Sequence, residues 1–589
     1  MSIFNIFTML GGLAMFLFGM DIMGKALEKQ AGNKLQGIIA KMTDNPVKGF
    51  VLGLAATVVV QSSSATTVMM VGFVNSGLMQ LHQAVGVIMG SNVGTTITAW
   101  ILSLAGLEGD SFIINLLKPT GFTPIFGFIG IILFMFIKND RLKGVGTIML
   151  GFCLLMTGMI TMSNAMSPLA DIPGFQELFV KFEMPLLGLV VGAALTALIQ
   201  SSAAGVGILQ ALSLTGAVTC GSALPIILGQ NIGTCVTAML SAIGANKSAK
   251  RTAVVHLYFN IIGALLFMAL FYGLNAIVHF SFMSAPVTPF MIAIIHTCFN
   301  VVATAALLPF ARGLEKLAYL TIPDNENPGK TEMLDERLLA TPAVAVQNSF
   351  TQTVNMAETV RSNLLQAMSL VHKWDPKCAE SVSTNEDVID TYEDRIGSYL
   401  VKLSERDLTV EDSHEVSVLL HTIGDFERIG DHACNIYDSA VEIHEKNVQM
   451  SEEAWSELTV LESVIQDILD KTLHAFETND LHAATKVEPL EQVVDDLVRS
   501  MRDRHIRRLQ NGTCGIEAGF VLQDLLINYE RIADHCSNVA VAMIEVAEDK
   551  FDVHEYVNTL RDANEKYDER YAKYGRRYVL PKTEEGQVE

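Results

Sequence analysis

Two stretches of this chain match each other, without a gap, at a spacing of 139 residues. Gln61-Ser62-Ser63 returns as Gln200-Ser201-Ser202, and Gly90-Ser91-Asn92-Val93-Gly94-Thr95 returns as Gly229-Gln230-Asn231-Ile232-Gly233-Thr234. Thr98 pairs with Thr237 and Gly77 with Gly216; upstream, Gly12, Gly19 and Met20 pair with Gly151, Gly158 and Met159. One register kept over so many Gly, Gln and Asn positions marks an internal duplication, about 12–106 recurring as about 151–245. Each copy contains a long run without Asp, Glu, Lys or Arg, Gly49–Leu107 and Met184–Asn246. Such runs can sit in a bilayer, where a crossing helix needs about 20 apolar residues.

Charge divides the chain in two. Up to Glu315 there are 14 Lys and Arg against 10 Asp and Glu, and from Lys316 onward 27 against 53. The first half is apolar and weakly basic, the second acidic and soluble in character. No dense basic face speaks for nucleic acid. The eight cysteines form no CxxC pair and are expected to be reduced. Met1–Met20 lacks a basic start and is followed by lysines, so no cleaved signal peptide is expected.

The basic residues order the first half. Lys25/Lys29/Lys34/Lys41/Lys48, Lys138/Arg141/Lys143, Lys247/Lys250/Arg251 and Arg312/Lys316 all belong on the cytoplasmic side by the positive-inside rule. Spans near 3–22, 84–106, 112–137, 145–165, 221–244, 252–280 and 289–311 satisfy this only if 47–79 and 185–215 each enter and leave on the same side. Both are therefore expected to be re-entrant hairpins with Gln-Ser-Ser near the tip. Three spans separate them, so the two repeats are expected to be inverted, a plan found in secondary transporters.

A hairpin tip at membrane depth is tolerable where its backbone faces protein or a polar ligand. Helix N-termini there favour an anion, and hydroxyls serve an oxyanion or a small hard cation alike. The candidate site is Gln61, Ser62, Ser63, Ser64, Thr66, Asn92, Thr95, Thr96, Gln200, Ser201, Ser202, Asn231 and Thr234. Neither charge-free run offers a carboxylate to carry protons, so coupling to Na⁺ through neutral oxygens is the natural expectation. His256/Asn260 and His296/Asn300, each spaced i,i+4, are expected chiefly to bond between helices.

The twin Gln-Ser-Ser and Gly-x-Asn-x-Gly-Thr motifs resemble the type II sodium/phosphate cotransporter family over about residues 1–315. The resemblance implies Na⁺-driven symport of inorganic phosphate, with the serines framing the site. Ala203 departs from it, standing where the first copy has Ser64.

Residues 316–341, with Pro323 and Pro328, read as a linker. Beyond it the period is helical, near 342–373, 386–405, 411–446, 452–476, 482–510 and 516–548, making two three-helix sets. These also repeat: Asp425–His432 matches Asn528–His535. Four Glu-x-x-x-Asp pairs result, Glu386/Asp390, Glu427/Asp431, Glu491/Asp495 and Glu530/Asp534, each on one helix face. Side by side they gather four carboxylates per set, a geometry that bundles use for metals, here hard cations such as Mg²⁺ or Mn²⁺, or iron. Cys434 and Cys536 follow the motifs at unequal spacing, against zinc. This half resembles the PhoU family over about 342–549, which implies a pseudosymmetric bundle holding multinuclear metal clusters at those eight residues. The charged tail 550–589 suggests no function.

The fold expected is all-α: a polytopic membrane unit of inverted repeats in the cell membrane, then a cytoplasmic PhoU-like six-helix bundle. The function expected is Na⁺-dependent phosphate symport by alternating access, modulated by that bundle. Phosphate export and a non-transporting phosphate sensor are the alternatives. Partners are phosphate, Na⁺ and lipid, with no nucleic acid; a homodimer and phosphate-signalling proteins remain open. Without a Walker motif or nucleophile elbow, an enzyme is not expected.

Overall fold

A computed structural model describes residues 3–39, 45–77, 79–107, 118–169, 181–323, 334–547 and 565–581. Among them there is no strand, only an isolated bridge between Thr219 and Pro286. The chain forms two compact units, Met1–Val344 and Ala345–Glu589.

The first unit holds α1 (Ile3–Ile39), α2 (Pro46–Val60), α3 (Ser63–Asn75), α4 (Leu81–Ser103), α5 (Pro119–Phe136), α6 (Asp140–Met166), α7 (Pro185–Ile199), α8 (Ser202–Ser213), α9 (Cys220–Ser241), α10 (Lys247–Val278), α11 (Pro289–Leu307) and α12 (Ala311–Thr321). The start of the span expected at 112–137 lies outside the described residues. α1 runs well past the expected 22, because its Lys-, Glu- and Gln-rich continuation is good helix sequence that needs no lipid. Helix likewise continues to Thr321, inside the stretch read as linker, and Glu336–Ala340 forms a 3₁₀ turn.

Glycines set how these helices meet. A Cβ placed on Gly19 lies 2.4 Å from Leu155 N and 2.6 Å from Gly151 O; one on Gly12 lies 2.7 Å from Met162 N and 2.9 Å from Gly158 O. Numbers rise along α1 as they fall along α6, so the two helices cross antiparallel, backbone against backbone, as small residues permit. The α2–α4 pair closes the same way, with a Cβ on Gly53 1.9 Å from Val87 O and on Gly90 1.9 Å from Phe50 O. In α7–α9 the same contacts recur 139 residues later: Gly192 on Ile226 O at 2.1 Å and Gly229 on Leu189 O at 2.0 Å.

Helix α13 (Pro342–His372) leads into the second unit, followed by α14 (Pro376–Ser404), α15 (Val410–Lys446), α16 (Glu452–Thr478), α17 (Glu488–Gln510) and α18 (Ile516–Ala547). Their ends are written locally. Thr409 and Ser451 hydroxyls accept from Asp412 N at 3.0 Å and Ala454 N at 3.2 Å, caps worth about 1 kcal/mol each. Asn447 and Asn479 close α15 and α16 in the left-handed region. Asp375 and Pro376 start α14 ten residues earlier than its apolar periodicity suggests. The core is apolar, with Phe426 fully buried edge-on to Phe476 at 5.3 Å; burying such a ring contributes about 2–3 kcal/mol. From the tail, α19 (Glu565–Arg577) docks on this unit through Arg570 to Thr485 O at 2.9 Å, and Tyr578 OH follows to Asp467 at 2.8 Å.

Candidate functional site

Both Gln-Ser-Ser motifs are breaks between two helices. Gln61 ends α2 with φ 55° and ψ 22°, and Gln200 ends α7 with φ 59° and ψ 22°. A non-glycine residue in that region is uncommon and is held there by its surroundings. Each backbone N–H still reaches back, Gln61 to Thr57 O and Gln200 to Thr196 O, both at 2.7 Å. The next serine is extended, Ser62 at φ −146° and Ser201 at φ −144°, and caps the following helix. Ser62 Oγ accepts from Ala65 N at 3.1 Å and Ser201 Oγ from Ala204 N at 3.2 Å. The first turns of α3 and α8 thus present further N–H groups without helical acceptors, beside buried Ser63 and Ser202.

The other candidates sit one layer in. Asn92, Thr95 and Thr96 on α4, and Asn231 and Thr234 on α9, are all buried. Asn92 and Asn231 donate to Ile88 O and Ile227 O at 2.9 Å, which leaves their side-chain oxygens to face elsewhere. Thr95 and Thr234 donate to Ser91 O at 3.1 Å and Gln230 O at 3.0 Å. Thr66 is buried and shares a 3.2 Å hydroxyl contact with Thr57. Ser64 is half-buried, whereas its counterpart Ala203 is buried and offers no hydroxyl.

Here the two copies differ. In the first, Thr98 donates to Gln61 Oε1 at 2.9 Å and Gln61 Nε2 donates to Val58 O at 2.6 Å. In the second, Thr237 Oγ1 has no partner, nor do Thr196 Oγ1 or either amide atom of Gln230. Gly205 replaces Thr66 and Gln230 replaces Ser91, so the amide fills the space left by the missing threonine. A Cβ on Gly205 would lie 2.9 Å from Thr196 Oγ1 and 3.3 Å from Gln230 Nε2. Buried polar atoms without partners are costly; three of these four are oxygens (Thr196 Oγ1, Gln230 Oε1 and Thr237 Oγ1), the donor type a small hard cation takes, while Gln230 Nε2 can only donate. His256 and His296 are fully buried, and neither ring nitrogen of either has a partner. Of the interhelical bonding expected of the two His/Asn pairs, Asn260 supplies one bond, from Nδ2 on α10 to Cys235 Sγ on α9 at 3.4 Å; the rings supply none among the described residues, and Asn300 donates to His296 O within its own helix.

In the second unit the carboxylates gather in threes, not fours. Ligand atoms of Asp390, Glu427 and Asp431 lie within 4.8 Å of one another, as do those of Glu491, Asp495 and Asp534. Glu530 is diverted by a 2.7 Å ion pair with Arg502, and Glu386 turns toward Cys434, whose thiol is pushed up to about 12 by burial and that carboxylate. Burial, then the other carboxylates, raises Asp390, Glu427 and Asp495; burial also raises Asp534, against the pull of Arg531. His432 and His535, each next in sequence to a triad aspartate, stack at 5.6 Å, bonded to Asn528 and Asp425 at 2.9 Å, a pseudo-two-fold arrangement.

Residues 15–164 and again 154–287 match the Na⁺/Pi-cotransporter family, while 353–440 and 458–543 match the PhoU domain. Uncharacterized protein YqeW of Bacillus subtilis is 32% identical over 309 residues, 52% of this chain and 95% of its own. The chain belongs to the Na⁺/Pi-cotransporter family. YjbB of Salmonella typhimurium, a candidate inorganic phosphate export protein, is 24% identical over 546 residues, 91% of this chain and 97% of its own. Sodium-dependent phosphate transport protein 2A of Rattus norvegicus is 43% identical over 99 residues, 16% of this chain and 15% of its own. Six described helices are long and apolar enough to cross a bilayer. This member of the Na⁺/Pi-cotransporter family is therefore a multi-pass membrane protein with a C-terminal PhoU domain.

Sequence reasoning passed over Thr57, Thr98, Thr196, Gln230 and Thr237 as candidates for the site. The 139-residue register already contained them: Thr57 falls on Thr196 and Thr98 on Thr237. Their significance lies in which hydroxyls are bonded, and that depends on the fold.

Proposed function

We propose that this chain is a Na⁺-coupled carrier of inorganic phosphate that works by alternating access. The observation that carries the reading is the pair of left-handed Gln breaks, each followed by a capping serine and a helix N-terminus. Ser62, Ser63, Ser64, Ser201 and Ser202 hold phosphate together with first-turn N–H groups. Gln61, Thr66, Asn92, Thr95, Thr96, Gln200, Asn231 and Thr234 form the Na⁺ and substrate shell, joined by Thr196, Gln230 and Thr237. The antiparallel α1–α6 crossing supports inverted repeats, and the charge-free runs support re-entrant hairpins. The basic clusters support a cytoplasmic PhoU domain, by the positive-inside rule.

The second unit regulates the first and takes a metal. Two triads of carboxyls are a donor set suited to hard, oxygen-seeking cations such as Mn²⁺, Mg²⁺ or iron. Bound there, such an ion offsets the mutual repulsion of the carboxylates.

The test is radiolabelled phosphate uptake into proteoliposomes under an inward Na⁺ gradient and an equal K⁺ gradient. Na⁺-specific accumulation, weakened by Ser63→Ala without loss of membrane insertion, is expected. Equal uptake under both gradients would remove Na⁺ coupling, and the absence of both uptake and efflux from loaded vesicles would remove the carrier. Phosphate export is the second reading, favoured by the end-to-end likeness to YjbB; efflux from loaded vesicles that outpaces uptake would select it.

A further inference from the structure

The stretch Leu334–Thr341 lies directly ahead of α13 and is packed into the first unit. Asp335 is 1% exposed. Its carboxylate accepts from Asn75 Nδ2 at 2.8 Å, from the Arg337 backbone N–H at 2.9 Å and from Arg337 Nη1 at 2.8 Å. Arg337 also donates from Nε to Ser241 O at 2.5 Å and from Nη2 to Ile243 O at 3.2 Å. Those carbonyls are at the C-terminal end of α9, where helical acceptors are left over and the dipole favours a cation. Asn75 is the last residue of α3. Its side-chain oxygen accepts from Asn246 N at 2.7 Å, its carbonyl accepts from Asn246 Nδ2 at 2.9 Å, and Asn246 caps α10. Fully buried Leu338 closes on Gly72, where a Cβ would lie 2.8 Å from its Cδ2.

A few residues therefore grip the far ends of α3 and α9. These helices carry Ser63 and Ser64, and Asn231 and Thr234, at the candidate site. Lifting Arg337 takes a 2.8 Å cationic partner away from a buried carboxylate, which is unfavourable. Thr341 then passes into α13, one helix that starts in the first unit and runs on into the second.

We propose that Leu334–Thr341 is a clamp in which Asp335 and Arg337 are positioning residues. Seated, it binds α3 to α9 and holds the first hairpin still; withdrawn, it frees that hairpin to move. This inference rests on the alternating-access reading above.

The Gly72→Cys/Arg337→Cys pair tests it. A Cβ on Gly72 lies 3.7 Å from Arg337 Cβ, within the range of about 3.5–4.5 Å for a disulfide. The full chain in proteoliposomes is assayed for phosphate flux after copper-phenanthroline oxidation and again after dithiothreitol, beside each single variant. Flux lost on oxidation and regained on reduction is expected. Arg337→Cys alone should run faster than wild type by about fivefold or more, the low end of ordinary coupling between sites. Equal flux before and after reduction overturns the clamp. Should the double variant fail to fold, Asp335→Asn decides: raised flux supports the proposal and unchanged or lowered flux refutes it. If the wild type carries no flux, the carrier reading falls on its own. The rate of disulfide formation in the pair then judges the clamp: slowing by phosphate plus Na⁺ retains it, and an unaltered rate overturns it.

Discussion

Thr98 and Thr237 occupy the same place in the two repeats, and the same substitution should act on them in opposite ways. Thr98→Val removes a 2.9 Å bond to Gln61 Oε1 at a buried position. The shape is kept while an acceptor is stranded, a loss of about 1–3 kcal/mol. Thr237 Oγ1 has no partner to lose. Thr237→Val should therefore leave stability in Na⁺-free buffer unchanged or slightly raised. Added Na⁺ should separate the two variants again. Binding to the native state stabilises by RT ln(1 + [L]/Kd), about 1.4 kcal/mol at tenfold excess over Kd. Thr98→Val should retain this shift, whereas Thr237→Val should lose most of it. Thermal unfolding of the purified protein, in choline chloride and in NaCl, reads both quantities. Equal destabilisation of the two variants in choline, or a full Na⁺ shift in Thr237→Val, would falsify the reasoning.

Other expectations follow from the same geometry. Gly19→Ala brings a Cβ to 2.4 Å from Leu155 N and should part α1 from α6, seen as aggregation or a lowered melting point in detergent; Gly11→Ala, with nothing within 4 Å, should be silent. Burial, then Asp412, pushes Glu415 from 4.5 up to about 7. Its raised value means stability present below pH 4.5 and lost as pH climbs through about 7. Glu415→Gln should recover about 2 kcal/mol at pH 8, allowing for residual exposure, and nothing near pH 4; a gain that does not change with pH would contradict this. Asp390→Asn and Asp495→Asn should each lower Mn²⁺ retained after gel filtration, measured by elemental analysis, and retention in the wild type should fall as acid protonates the raised carboxyls. Full retention in the double variant would exclude these triads as the site.

The repeat, the two interrupted helices and the acidic three-helix sets were legible because each leaves a local mark: a shared register, Gln-Ser-Ser, a 3.6-residue period. What stayed hidden depends on partners far away in sequence. Gln61 and Gln200 adopt a left-handed backbone that no Gln announces. Arg502 takes Glu530 from its triad, although nothing in Glu-x-x-x-Asp foretells it. Residues 316–341 look like a linker by composition, yet Asp335 finds Asn75 260 positions away. The helix start at Asp375-Pro376 was readable and was missed, because the apolar pattern begins later than the cap.

The seam between α1 and α6 is also reciprocal. Gly12 meets Gly158 and Gly19 meets Gly151, so each repeat supplies one copy of the same self-complementary strip. Two separate polypeptides of the half-length kind, threaded through a bilayer in opposite senses, would own everything needed to make that joint. Joined in one chain, the contact is intramolecular, and each position of the strip answers to the other copy. A bulkier residue at 12 must be answered at 158, the duplicate of 19, rather than at its own duplicate 151.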